Sequence, residues 1–115
     1  MPDIITTMNE TGKALQELFN RIPRRHSLEN VKDIYAVLDE YESLLITIEA
    51  MNSFYEKNIS IFFDTLEEVR LIIKKSTDNK VSKKNKDNLF DEGSGCLKDS
   101  MQKLIEVYAD GKRSA

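Results

Sequence analysis

His26, the only histidine of the sequence, is the first residue whose side chain could carry out chemistry. On the face of a helix in a small helical domain, a histidine can accept a phosphoryl group, and the local pattern is then typically His-x-x-Lys-Gly. Residues 26–30 read His-Ser-Leu-Glu-Asn, so the lysine and the glycine are both missing. Pro23 also predicts that His26 lies in a connection, because proline disrupts a helix interior. A histidine phosphotransfer domain is therefore a secondary alternative.

Cys96, the single cysteine, is the second candidate, since a thiolate can act as a nucleophile. Such catalysis needs a neighbouring base, and the sequence marks no Cys–His pair. A Gly-x-Ser-x-Gly elbow and a glycine-rich phosphate loop are also missing from the sequence. A single cysteine cannot form an intramolecular disulfide. We therefore expect Cys96 to be a reduced thiol in the cytoplasm. We therefore expect a cytoplasmic protein that is not an enzyme.

Carboxylates form two clusters, within residues 39–42 and at Glu67 and Glu68. A di-iron site in a helical bundle requires Glu-x-x-His motifs on facing helices, and His26 is not preceded by glutamate at that spacing. The charged outer face of a helix explains both clusters better. We expect neither a metal nor another cofactor.

The net charge of the 115-residue chain is −3, which gives no overall attraction to nucleic acid. The charges are unevenly distributed: residues 31–73 carry three basic and nine acidic side chains, whereas residues 74–115 carry ten basic and seven acidic ones. Six lysines fall within Lys74–Lys86, without interleaved aromatic residues. We expect this segment to be solvated, with weak contacts to an anionic surface and no specific nucleic-acid site.

The first predicted helix covers residues 3–22. The sequence has only four glycines and two prolines, too few turn formers for a β-sandwich of this length. Apolar residues in this segment alternate in spacing between four and three, with Thr11 as the polar member of the series Ile4, Met8, Thr11, Leu15, Leu18 and Ile22. Pro23 is expected to end the helix, and Ser27 is a good N-cap for the next one.

The strongest pattern of the sequence is an apolar seam between residues 31 and 73. Twelve of its thirteen positions are apolar, against roughly five expected from the average composition. The seam residues are Val31, Ile34, Leu38, Tyr41, Leu45, Ile48, Asn52, Tyr55, Ile59, Phe62, Leu66, Val69 and Ile73. A continuous helix over residues 27–75 would be roughly 73 Å long at about 1.5 Å per residue.

Asn52 is the polar member of the seam, and it decides between two architectures. A buried asparagine at such a position can fix the register and partner number of a coiled coil. Because the phase of the seam continues across Asn52, we favour one long helix that is continuous or kinked there. The alternative is a turn near residues 51–53, since Ser53 and Glu56 match a capping box that would start a new helix.

The rest of the chain predicts a linker and a last helix. Residues 76–95 are rich in lysine, asparagine and aspartate and predict a flexible polar connection. Apolar spacing predicts a helix over residues 96–109, with Gly111 as its stop. The fold class is thus all-α: one domain of residues 1–115, built as an antiparallel three- or four-helix bundle with coiled-coil-like packing and one long central helix.

The width of the seam suggests a function. Two shorter helices cannot cover so wide an apolar stripe on a straight long helix, so we expect a non-enzymatic subunit or adaptor that packs against helices of other proteins or of its own copies. The expected contact residues are Tyr41, Leu45, Ile48, Asn52, Phe54, Tyr55, Ile59, Phe62, Phe63 and Leu66. The alternative is a bacterial secretion partner, chaperone or immunity protein that binds one cognate protein. Apolar runs of about five residues are far too short to span a bilayer.

Overall fold

A computed structural model describes residues 4–23 and 27–114, and all regular secondary structure within these ranges is helical. The five helices are α1 (Ile4–Asn20), α2 (Leu28–Glu49), α3 (Ser53–Asn58), α4 (Ser60–Ser76) and α5 (Lys83–Ser114). The predicted all-α bundle is therefore confirmed. Ser27 is also confirmed as the N-cap of α2, since its hydroxyl accepts a hydrogen bond of 3.0 Å from the backbone N–H of Asn30.

The helices pack as an antiparallel four-helix bundle. In this bundle α3 and α4 together occupy the position of one helix. Ile59, between them, keeps right-handed helical angles (φ −93°, ψ −24°), so that α3 continues into α4 with a bend. The tyrosine hydroxyl of Tyr108, near the end of α5, donates to the carbonyl of Met8, near the start of α1. At the opposite end, the hydroxyl of Ser94 donates to the carbonyl of Pro23, which follows α1. These two hydrogen bonds show that α1 and α5 run antiparallel.

The preference for one long helix through Asn52 is wrong, because the chain reverses direction there. The bundle is 49 Å long, too short for a straight helix over residues 27–75. Asn52 has extended backbone angles (φ −163°, ψ 174°), and its side-chain oxygen accepts a 2.9 Å hydrogen bond from the N–H of Tyr55. Asn52 is thus the N-cap of α3, a role for which asparagine is well suited, and not a buried polar residue of a seam.

The ion pairs of Arg70 link α4 to α2 on the surface of the bundle. Its guanidinium lies 3.1 Å from the carboxylate of Asp39 and 3.4 Å from that of Glu42, both on α2. It also lies 3.7 Å from the carboxylate of Glu67 on α4 itself. The predicted carboxylate clusters therefore belong in part to a surface ion-pair network between two helices.

The apolar seam lies inside the bundle on both sides of the reversal. Among its members, Val31 and Asn52 are half-buried, and the others are buried. The core of the described residues consists of Met8, Leu15, Leu18, Ile34, Val37, Leu38, Tyr41, Leu45, Ile48, Tyr55, Ile59, Phe62, Leu66, Val69, Ile73, Phe90, Leu97, Met101, Leu104 and Tyr108. Because the seam residues of α2 and those of α3 and α4 all point into the bundle, the folded protein buries its own apolar stripe.

The predicted linker over residues 76–95 is also wrong, since α5 begins at Lys83 and continues through the predicted stop at Gly111. The turn between α4 and α5 covers only residues 77–82. Phe90 is fully buried, and a side chain at Gly93 would start 2.7 Å from the Cδ1 atom of Ile73. Close packing of α5 on α4 thus stabilises a segment whose intrinsic helix propensity is poor.

Two tyrosines form a buried cluster at the end of the bundle where the chain reverses. The rings of Tyr55 and Tyr108 stack with their centroids 5.4 Å apart, and the hydroxyl of Tyr55 donates to the carbonyl of Tyr108 over 2.5 Å. A Cβ atom at Gly111 would overlap the ring of Tyr55, and one at Gly12 would lie 3.3 Å from the ring of Tyr108. The two glycines therefore make room for the two rings.

The buried tyrosines predict a loss of stability at alkaline pH. Burial raises the pKa of Tyr41 to about 12, against the opposing effect of its hydrogen bond with Ser100, and burial also raises the pKa of Tyr55 to about 12. Their stabilising contribution is fully present below the unfolded-state pKa of about 10 and is lost as the pH rises through the folded-state value. We expect the free energy of unfolding to fall above about pH 10, by up to about 1.4 kcal/mol per pH unit for each tyrosine.

Urea unfolding at a series of alkaline pH values measures this effect. The Tyr41→Phe variant is the control, because removing one of the two hydroxyls should reduce the pH slope. An unfolding free energy that stays constant to about pH 12, or an unchanged slope in the variant, would contradict the prediction.

Candidate functional site

The ten predicted partner contacts are mostly unavailable to a partner in the folded bundle. Seven of them are buried and belong to the core: Tyr41, Leu45, Ile48, Tyr55, Ile59, Phe62 and Leu66. Asn52, Phe54 and Phe63 are half-buried. In the folded bundle these seven side chains form part of the protein's own core, because the chain folds back on itself and turns its seam inward.

Of the two residues first considered for catalysis, only Cys96 lies in the part of the chain that the structure describes. His26 lies outside the described residues. Cys96 is half-buried on α5, and burial raises the pKa of its thiol, with a further rise caused by the carboxylates of Glu68, Asp99 and Glu92. The thiol is therefore held in its protonated, weakly nucleophilic form.

A groove with a volume of about 600 Å³ lies between α4 and α5. We call it the α4–α5 groove. It is lined from α4 by Ile61, Phe62, Thr65 and Glu68, and from α5 by Asp91, Glu92, Gly95, Cys96, Asp99, Ser100 and Lys103.

Helical periodicity places these side chains along one line on each helix. On α4 the lining positions 61, 65 and 68 are four and three residues apart, and on α5 positions 92, 96, 99 and 103 have the same spacing. Residues at such intervals share one face of a helix. The two faces meet because α4 and α5 are joined by a short turn and pack closely along Gly93.

The groove has a buried floor and an exposed apolar edge. Phe62 and Ser100 are buried, and the hydroxyl of Ser100 shares a 2.8 Å hydrogen bond with that of Tyr41 in the core. Ile61, on the edge, is 64% exposed, which makes it one of the most exposed large apolar side chains of the described residues. Gly95 leaves the opposite edge open, since a Cβ atom placed there would meet nothing within 4 Å.

The residues that line the groove carry a net negative charge. Four of its lining residues, Glu68, Asp91, Glu92 and Asp99, are carboxylates, whereas Lys103 is the one basic lining residue. The raised pKa of the Cys96 thiol has the same origin in part, because three of these carboxylates disfavour a thiolate. The groove therefore favours positively charged groups.

A second groove, of about 320 Å³, lies between α1 and α2. Two of its lining residues, Arg21 and Glu40, form an ion pair of 2.6 Å with each other. Both side chains are exposed, and a surface ion pair of this kind contributes little stability.

The sequence contains little that identifies the α4–α5 groove. In the sequence, Ile61 is one of the apolar residues beside the seam, and Gly95 falls in the segment that was expected to be a linker. The spacing of the acidic residues 92 and 99 by seven was the one available signal, and it becomes meaningful only when residues 83–95 are known to be helical.

Fold and groove together define a helical bundle with a partly apolar, acidic surface groove. No protein-family model, no curated protein sequence and no solved structure matches this chain. Among the described residues, none of the helices combines the length and apolar content needed to cross a membrane. Residues 4–23 and 27–114 also contain no group of three or more His, Cys, Asp and Glu residues arranged to hold a metal ion.

Proposed function

We propose that this protein is a non-enzymatic, cytoplasmic interaction module that binds another protein on its folded surface, through the α4–α5 groove. The observation that carries the proposal is the combination of an exposed Ile61 with a groove wide enough for side chains. Binding sites are typically concave and partly apolar, with a few polar groups that orient the partner.

The closed core favours a protein that folds alone and then binds its partner, over a subunit that needs partner helices in order to fold. A subunit that needed partner helices to complete its fold would leave the seam uncovered, whereas here the bundle buries the seam itself. This supports a module that folds alone and then docks a cognate protein, as an adaptor, a secretion partner, a chaperone or an immunity protein would. Binding of this kind needs little backbone rearrangement in the bundle.

Site-specific photo-crosslinking tests the proposal. An apolar diazirine amino acid replaces Ile61 in one variant and Ile46 in the other, and both variants are expressed in the cells that make the protein. The two isoleucines are similarly exposed (64% and 58%), but Ile46 lies on α2 and does not line the groove. We expect position 61 to crosslink to one discrete protein that is not crosslinked from position 46. The same products from both positions, or none from position 61, would reject the proposal.

A further inference from the structure

The charge and shape of the α4–α5 groove identify the chemistry of its occupant. We infer that the groove takes an amphipathic helix from a partner protein, in which lysine or arginine residues flank a large apolar side chain. This inference rests on the proposed function, because it names the partner of that same site.

The basic character of the occupant follows from the charges that line the groove. The acidic lining residues occur on both helices, with Glu68 on α4 and Glu92 and Asp99 on α5. Basic side chains on both flanks of an inserted helix would therefore each meet a carboxylate, whereas an acidic segment would be repelled from both sides. Such complementarity raises the association rate and excludes partners of the wrong charge.

The helical form of the occupant follows from the backbone chemistry of the groove. Both walls are helices, whose N–H and C=O groups are already hydrogen-bonded within the helix, so the groove offers no row of free backbone groups to an extended peptide. A helix satisfies its own backbone and presents only side chains. Along α5 the groove extends from Asp91 to Lys103, which is about 18 Å at about 1.5 Å per residue, or about three turns of a bound helix.

Gly95 and Ile61 identify where the apolar side chain of the partner enters. Gly95 is exposed, and the space above it is open, so a neighbouring helix can approach the backbone of α5 closely there. Ile61 provides apolar contact on the other edge, and the half-buried Cys96 adjoins them. A leucine-sized group is therefore expected to pack between Ile61 and Gly95.

Binding of designed peptides tests the inference. Fluorescence anisotropy is measured with an 18-residue peptide of leucine, lysine and alanine that forms an amphipathic helix. It is compared with a permuted peptide of the same composition and with a version in which glutamate replaces lysine. We expect the amphipathic basic peptide to bind about tenfold or more tighter than either of the other two.

Variants of the protein locate the binding. The Glu92→Lys/Asp99→Lys variant and the Gly95→Leu variant are each expected to weaken binding about tenfold or more. The control is Glu10→Lys/Asp33→Lys, which changes the net charge equally at exposed residues of α1 and α2. It should change the affinity by less than about twofold, because long-range attraction alone is screened by salt.

The remaining outcomes overturn the inference. Equal binding of the permuted peptide, preferred binding of the acidic peptide, or equal weakening by the control variant would each show that the groove does not select a basic helix. Dimerisation of the free protein that Gly95→Leu abolishes would assign the groove to a second copy of the chain. If the crosslink from position 61 is nevertheless found, the proposed function stands and only the chemistry of the partner is wrong.

Discussion

The Gly93→Leu variant is expected to lose about 3 kcal/mol of stability, whereas Gly95→Leu, two residues further along the same helix, is expected to gain about 0.8 kcal/mol. Gly93 is buried, and a Cβ atom there would lie 2.7 Å from Ile73 Cδ1 and 3.3 Å from Ile72 Cγ2. Ile73 is fully buried, so it has little room to move away. Three further carbon atoms of leucine would force α4 and α5 apart.

At Gly95 the same substitution meets open space, and the intrinsic helix propensity of leucine then determines the sign. Urea unfolding of both variants beside the parent protein measures the two changes. Each variant is the control for the other, because helix, new side chain and change in composition are identical. Equal destabilisation at both positions would contradict the packing described here for α4 and α5.

The second large effect is expected for Tyr108→Ala, which should lose about 3–5 kcal/mol of stability. The substitution removes a buried ring that stacks on Tyr55, together with a hydroxyl that donates to the carbonyl of Met8. It also leaves a cavity beside Gly12, where the ring contacts α1. Because the ring contacts Gly12 and the hydroxyl bonds to Met8, both on α1, α1 should be strongly affected.

Tyr108→Phe separates the ring from the hydroxyl. This variant keeps the stacking and loses only the hydrogen bonds of the hydroxyl, with the carbonyl of Met8 and the side chain of Thr11, so its expected loss is about 1–2 kcal/mol. Unfolding free energies measure both changes, and amide hydrogen exchange shows whether α1 loses protection in the alanine variant. A loss as large for phenylalanine as for alanine would mean that the hydrogen bond, not the packing of the ring, stabilises this end of the bundle.

Apolar periodicity in the sequence predicts which residues of α2, α3 and α4 form the core, but it does not predict the direction of the chain. A spacing of three and four identifies the apolar face of a helix, and that face is the same whether the chain continues or folds back. Ile48 and Tyr55 are seven residues apart across the turn, which equals one heptad, so the reversal leaves the pattern unbroken. The capping signal is therefore the only local sign of the turn, and the actual cap is Asn52, one residue before the predicted one.

The apolar pattern of the sequence does not predict the first half of α5, and the reason is a different one. Its packing positions include Gly93 and Ser94, which are buried but too small to register as apolar. Close approach of two helices stabilises such a segment, and hydropathy along one chain does not report it. The α4–α5 groove cannot be predicted either, because it is the space that remains between two helices after this packing.

The tyrosine cluster has a consequence for the distant groove. The ring of Tyr55 occupies a recess above Gly111 of α5, so α3 cannot slide along α5 without driving the ring into a residue that bears a side chain. Because α3 continues into α4 through Ile59, this recess acts together with the contact between Gly93 and Ile73 in aligning α4 along α5. That alignment determines which carboxylates of α5 lie opposite Glu68. A contact at one end of the bundle thereby contributes to the charge pattern presented by its surface farther along.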